Sequence, residues 1–142
     1  MTGGTARSSR RQSRETAFAL LFEWSFKPEE SLDELLALSA PDRGIEADEF
    51  ARALCIRAME HVAELDSLIE TYSDNWKLSR ISRVTLAILR LAFCELSLFD
   101  DIPTGATINE AVELGKTYTT EDEAAFINGI LGAHARRGDA PA

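Results

Sequence analysis

The stretch Ser82–Phe99, SRVTLAILRLAFCELSLF, decides how this chain folds. Val84, Ala87, Ile88, Leu91 and Ala92 recur at helical spacing on one face, and Leu86, Leu89, Phe93 and Leu96 on another. A helix apolar on two faces needs neighbours on both sides, so this segment reads as a central helix. Its apolar run, Val84–Leu96, is interrupted by Thr85, Arg90 and Glu95. It falls short of the roughly 18 residues that a membrane span requires.

The flanks are helical too. Upstream, Ala17, Leu20, Leu21 and Trp24 mark a helix over about Arg10–Phe26, stopped by Lys27-Pro28. Ser31, with Glu34 three residues on, opens a short helix through Leu38, and Pro41-Asp42-Arg43-Gly44 reads as a turn. A third helix over about Glu46–Ala63 continues after a break through Leu65, Leu68, Ile69 and Tyr72. Downstream, Asp100-Asp101-Ile102-Pro103 ends the central helix. Thr107 with Glu110 and Thr120 with Glu123 read as capping boxes for two more helices, the last closed by Gly138. No segment sustains period-two alternation. The expectation is an all-α fold of six or seven helices in two packed helical bundles. Residues 1–9 are expected to be a disordered arm and 10–137 one domain. Subdomains divide near Ser73 (about 10–73 and 74–137), and 138–142 form a tail. A chain of 142 residues with 45% apolar content can bury such a core.

Net charge is −9, distributed unevenly. Arg7, Arg10, Arg11 and Arg14 give residues 1–14 a charge of +4 without a single acid, against −13 for the remainder. An acidic body excludes an electrostatic nucleic-acid coat over the whole surface, while a basic arm suits an anionic partner. The polar, arginine-rich N-terminus lacks an apolar segment behind it, so a cytoplasmic location is expected.

Residues for catalysis are missing from the pattern. There is no glycine-rich phosphate loop, nucleophile elbow or His-Glu-x-x-His, and His61 and His134 have no Cys or His at metal-ligand spacing. Cys55 and Cys94 sit in apolar helical patterns and read as buried, reduced thiols. The acidic runs Glu29-Glu30, Asp100-Asp101 and Glu121-Asp122-Glu123 fall at helix ends, where carboxylates satisfy the dipole. No enzyme, metal or cofactor is expected. The arginines follow i, i+3, i+4, i+7 and lead in register to Phe18 and Leu21, so one stripe turns from basic to apolar. That stripe reads either as a phosphate-binding element or as a solubilising tail. Asn128-Gly129, inside a helical pattern, reads either as a close packing contact or as an approachable polar surface.

Several segments together resemble the NusB family of transcription antitermination factors. They are Arg10–Glu15 leading to Leu20-Leu21-Phe22-Glu23-Trp24, Ala87–Leu96, Asp101-Ile102-Pro103, Ile108–Leu114 and Phe126–Leu131. They occur in the family's order across most of residues 10–132. The resemblance implies a non-enzymatic, all-helical adaptor that binds boxA RNA jointly with the small-subunit ribosomal protein NusE. It implies loading onto the RNA polymerase elongation complex with other Nus factors, and readthrough of ribosomal RNA operons. The family's RNA-binding elements map to Arg10, Arg11, Gln12 and Arg14 in the first helix and to Asp122 and Phe126 in the last; Arg7 of the arginine stripe and Asn128 of the approachable polar surface are the further candidate RNA contacts. Its NusE face maps to Phe22, usually Tyr in the family, and Thr85, often acidic there. Gln12 stands where a third consecutive arginine is frequent, and Thr104-Gly105-Ala106 replaces Tyr-Lys-Val. A homodimer or protein scaffold with secondary RNA binding is the alternative from the residues alone. The module also resembles the N-terminal part of some ribosomal RNA methyltransferases, which would apply if this chain were a fragment.

Overall fold

The computed structural model describes residues 2–43, 47–73 and 76–139, with side chains for 10–37, 47–73 and 76–137. They form α1 (Thr2–Trp24), α2 (Leu32–Arg43), α3 (Glu49–Glu60), α4 (Val62–Tyr72), α5 (Arg83–Leu98), α6 (Thr104–Tyr118) and α7 (Glu121–Asp139). A single 3-10 turn, Leu78–Arg80, precedes α5. No strand occurs among the described residues.

The two-faced helix is the hub. α5 touches α1, α3, α4, α6 and α7, and its buried residues run from Thr85 to Glu95. Ser82 caps it, the hydroxyl accepting from the Thr85 amide at 3.2 Å. On one side lie α1, α2 and α3, on the other α4, α6 and α7. One contiguous buried cluster extends from Ala17 through α5 to Leu131, so the two bundles share a core. α1 and α5 run antiparallel: Arg14 meets Glu95 at one end, and Arg83 meets Ser25 at the other.

Local signals explain most boundaries. The Ser31–Glu34 capping box closes in both directions, at 2.7 and 3.2 Å. Asp48 caps α3 by accepting from Ala51. The break between α3 and α4 falls at His61, two residues earlier than the sequence places it, where φ is −116°. Other limits differ more. α1 starts at Thr2, within the stretch expected to be disordered, because no proline blocks upstream propagation once Arg10–Trp24 is fixed by packing. α2 runs through Pro41 to Arg43 where a turn was expected; Gly44 lies outside the described residues. α7 passes Gly138 to end at Asp139. α6 opens at Thr104 behind Pro103, without a side-chain cap. Thr107 and Glu110 therefore form no capping box. The Thr107 hydroxyl donates to Glu95 and Glu110 binds Arg11, so tertiary partners have taken both. The Thr120 hydroxyl does accept from the Glu123 amide.

Cys55 and Cys94 are buried free thiols, as expected, and burial pushes both up to about 12. The close packing contact expected of Gly129 belongs instead to Gly115. A Cβ on Gly115 would lie 2.9 Å from Ile127 Cδ1 and 3.2 Å from the Ala124 backbone, at the α6–α7 crossing. Gly129 is exposed, with open space where its Cβ would be. Gly115→Ala is therefore expected to destabilise by about 1–3 kcal/mol through overpacking. Gly129→Ala should stabilise by up to about 1 kcal/mol through helix propensity. Urea midpoints for the two variants test this, and a shift in the same direction for both would refute it.

Candidate nucleic-acid interface

The arginines of α1 diverge onto three neighbours. Arg10 is exposed, its guanidinium carbon 3.8 Å from the centre of the Phe50 ring. Arg11 is exposed too and reaches α6, donating from Nε and Nη2 to the two Glu110 oxygens at 3.0 and 2.9 Å. That hydrogen-bonded pairing raises Arg11 and lowers the Glu110 carboxyl relative to their ordinary values. Gln12 is exposed beside them. Arg14 differs from all three. It is 7% exposed and donates from Nε and Nη2 to Glu95 at 2.8 and 2.9 Å, inside the α1–α5 contact. Arg14, expected to reach a phosphate, thus presents no guanidinium to solvent while this pair is closed. One turn below Arg11, α1 enters the core, and its guanidinium is spent on a buried carboxylate. The Arg7 side chain lies outside the described residues.

At the far end of α5, ten residues and about 15 Å from Glu95, lie the residues mapped to partner binding. Thr85 is 1% exposed, and its hydroxyl donates to Glu123 at 2.5 Å. Expected on the partner-binding face, Thr85 has its hydroxyl turned inward, because α7 begins directly over it. Glu123 also accepts from Ser82 at 2.7 Å, and these hydroxyl donors hold its carboxyl below the usual range. Asp122, next in sequence, is exposed. Phe22 is half-buried and meets Phe26 edge-on, centroids 5.2 Å apart. Phe26 is 55% exposed under the Arg83 guanidinium, which lies 4.4 Å from its ring. Sequence reading had used Phe26 only as a helix end, although its i+4 spacing from Phe22 places both on one face.

Phe126 belongs to neither cluster. It lies one turn into α7, 6.1 Å from the ring of Trp76, which is 53% exposed. The helical stripe Asp122, Phe126, Gly129, Ala133 and Arg136 follows i, i+4, i+7, i+11 and i+14. Asn128 is exposed but off that stripe. The residues mapped to RNA binding are therefore split between the free end of α1 and the outer face of α7. Among the described residues, no cluster of three or more His, Cys, Asp or Glu side chains could hold a metal. No helix there is long and apolar enough to cross a membrane. The surface offers cations, aromatic faces and helix-terminal acids, which suit recognition of phosphates, bases and a protein partner.

The family model described as the NusB family matches residues 11–136. A transcription antitermination protein NusB from Agathobacter rectalis is 41% identical over 130 residues, covering 89% of this chain and 99% of the relative. That of Natranaerobius thermophilus is 39% identical over 127 residues, covering 87% and 91%. A solved structure of antitermination factors NusB and NusE with double-stranded RNA superposes with a TM-score of 0.79. It is 30% identical and covers 90% of this chain and 96% of the other. Thermotoga maritima NusB gives 0.78 at 35% identity, with 89% and 90% covered. With the same helical fold and a family match running from Arg11 in α1 to Arg136 in α7, this chain belongs to the NusB family.

Proposed function

We propose that this chain is a transcription antitermination factor. It acts as a non-enzymatic adaptor that binds a boxA-type element of nascent RNA together with ribosomal protein NusE. With other Nus factors it supports readthrough of ribosomal RNA operons by RNA polymerase. The observation that carries this reading is the pair of exposed guanidinium groups, Arg10 and Arg11, at the free end of α1 on an otherwise acidic body. Two cations held beside Phe50 and Glu110, in the middle of α6, can reach successive phosphates without the whole surface attracting RNA. The Phe22–Phe26–Arg83 face, an aromatic pair under a guanidinium, is the surface we assign to NusE. That a 30% identical relative has been solved in complex with NusE and double-stranded RNA supports the choice of these two partners.

Salt dependence tests the adaptor reading. Each phosphate neutralised on a single strand contributes about −0.7 to the log–log salt slope. Replacing Arg10 and Arg11 with alanine should flatten that slope by about 1.4 and weaken matched and scrambled RNAs alike. Discrimination between the two RNAs should persist, because phosphate contacts carry no sequence information. An unchanged slope in a folded double variant would make the arm a solubilising tail.

A further inference from the structure

We infer that the notch between α4 and α7 is a stacking site for one unpaired nucleobase, with Trp76 as its platform. The inference rests on the RNA-binding reading above and adds a residue and a chemistry to it. Tyr72, Ser73, Trp76, Phe126, Gly129 and Arg136 line the notch. The Trp76 and Phe126 rings meet at 64° and form two walls. Gly129 contributes no side chain, and the space above it is open. Trp76 is held without being buried: the Ser73 hydroxyl donates to the Trp76 carbonyl at 2.9 Å, which ties the residue to the end of α4. A large aromatic surface held in solvent contributes little to the core and is available to a flat ligand.

Charge selects the ligand class. Arg136 lines the notch, Arg137 lies 6.0 Å from the Tyr72 ring, and Lys77 and Arg80 are exposed on the segment that leads from Trp76 into α5. Aromatic walls with Arg136 in the lining and Arg137 beside Tyr72 suit a base stacked on the indole with its phosphate on a guanidinium, Asp122 being the one acid on the same stripe of α7. Because every base has a π-face, the stack itself tolerates any base. It rewards a nucleotide that is unpaired at one register of the strand. The notch lies away from Arg10 and Arg11, so a strand engaging both is read at two separate places.

The test uses the full chain and a boxA-type single-stranded RNA in which each position in turn is made abasic. Trp76→Ala should weaken the parent RNA roughly 5- to 150-fold, the range for loss of one base–aromatic stack. One abasic position should cost the parent protein a similar factor and cost Trp76→Ala nothing further. Trp76→Phe should restore most of the affinity while abolishing the RNA-induced quenching of exposed indole fluorescence. All variants should unfold at the parent's temperature, since Trp76 is half in solvent. The inference is overturned if Trp76→Ala binds RNA within twofold of the parent. It is also overturned if Trp76→Ala loses affinity only for NusE, which would make the notch a protein contact. If the parent shows no RNA binding at all, the adaptor reading falls with it. If the parent binds through Arg10 and Arg11 and Trp76→Ala does so equally, only the notch falls.

Discussion

Leu89→Ala is expected to lower the stability of the fold by about 2–5 kcal/mol, through lost transfer energy plus the cavity left behind. Leu89 is fully buried, and the helix that carries it is packed by five others, so no single neighbour can move in to fill the space. Collapse around the site would need helices packed on α5 to shift against their other neighbours. The expected value therefore lies in the upper half of that range. Because one cluster joins both bundles, unfolding should remain a single transition in urea, with the midpoint lowered and the slope unchanged. Two separated transitions in the variant would show that the bundles fold independently. A loss below about 1 kcal/mol would mean that α5 is not the hub.

The hub was legible because its signal is local. Eighteen consecutive residues carry the two apolar faces of α5, and nothing distant is needed to interpret them. The Ser31–Glu34 box was legible for the same reason, since both partners lie within one turn. Thr107 and Glu110 carry the same spacing, yet they serve Glu95 and Arg11 in other helices. Residue spacing cannot distinguish a cap from two tertiary contacts, and here the proline before Thr104 starts the helix early. The site divided in the same way. The i, i+3, i+4, i+7 spacing correctly joined the arginines to Phe18 and Leu21, both buried. It could not reveal that the stripe crosses from solvent to core between Arg11 and Arg14, because Glu95 is 81 residues away in the chain. The burial of Thr85 was hidden for a related reason, its cover being the start of α7, 38 residues away. Trp76 gave no sequence signal as a site residue. Only the Ser73 hydrogen bond to its carbonyl and the approach of Phe126 make it one.

Arg14 is where stability and RNA recognition can be told apart. Arg14→Ala should destabilise by about 3–5 kcal/mol, because it leaves the Glu95 carboxylate, 2% exposed, with the Thr107 hydroxyl as its remaining donor here. Glu95→Leu alone should cost a comparable amount by stranding the guanidinium. Replacing both with apolar residues of similar volume, Arg14→Met with Glu95→Leu, should recover most or all of the parent's stability. Neither buried charge is then unpaired, and Thr107 can turn its hydroxyl back to the carbonyl of Pro103, four residues before it. The sum of the single losses should therefore exceed the double loss by several kcal/mol in a double-mutant cycle. The double variant then answers the question about RNA that Arg14→Ala cannot, since a poorly folded protein binds nothing. If Arg14 only seats α1 on α5, the double variant should keep the parent's affinity and salt slope, because Arg10 and Arg11 remain in place. A slope flatter by about 0.7 in that stable variant would instead count Arg14 among the phosphate ligands, and the Arg14–Glu95 pair would have to open when RNA binds.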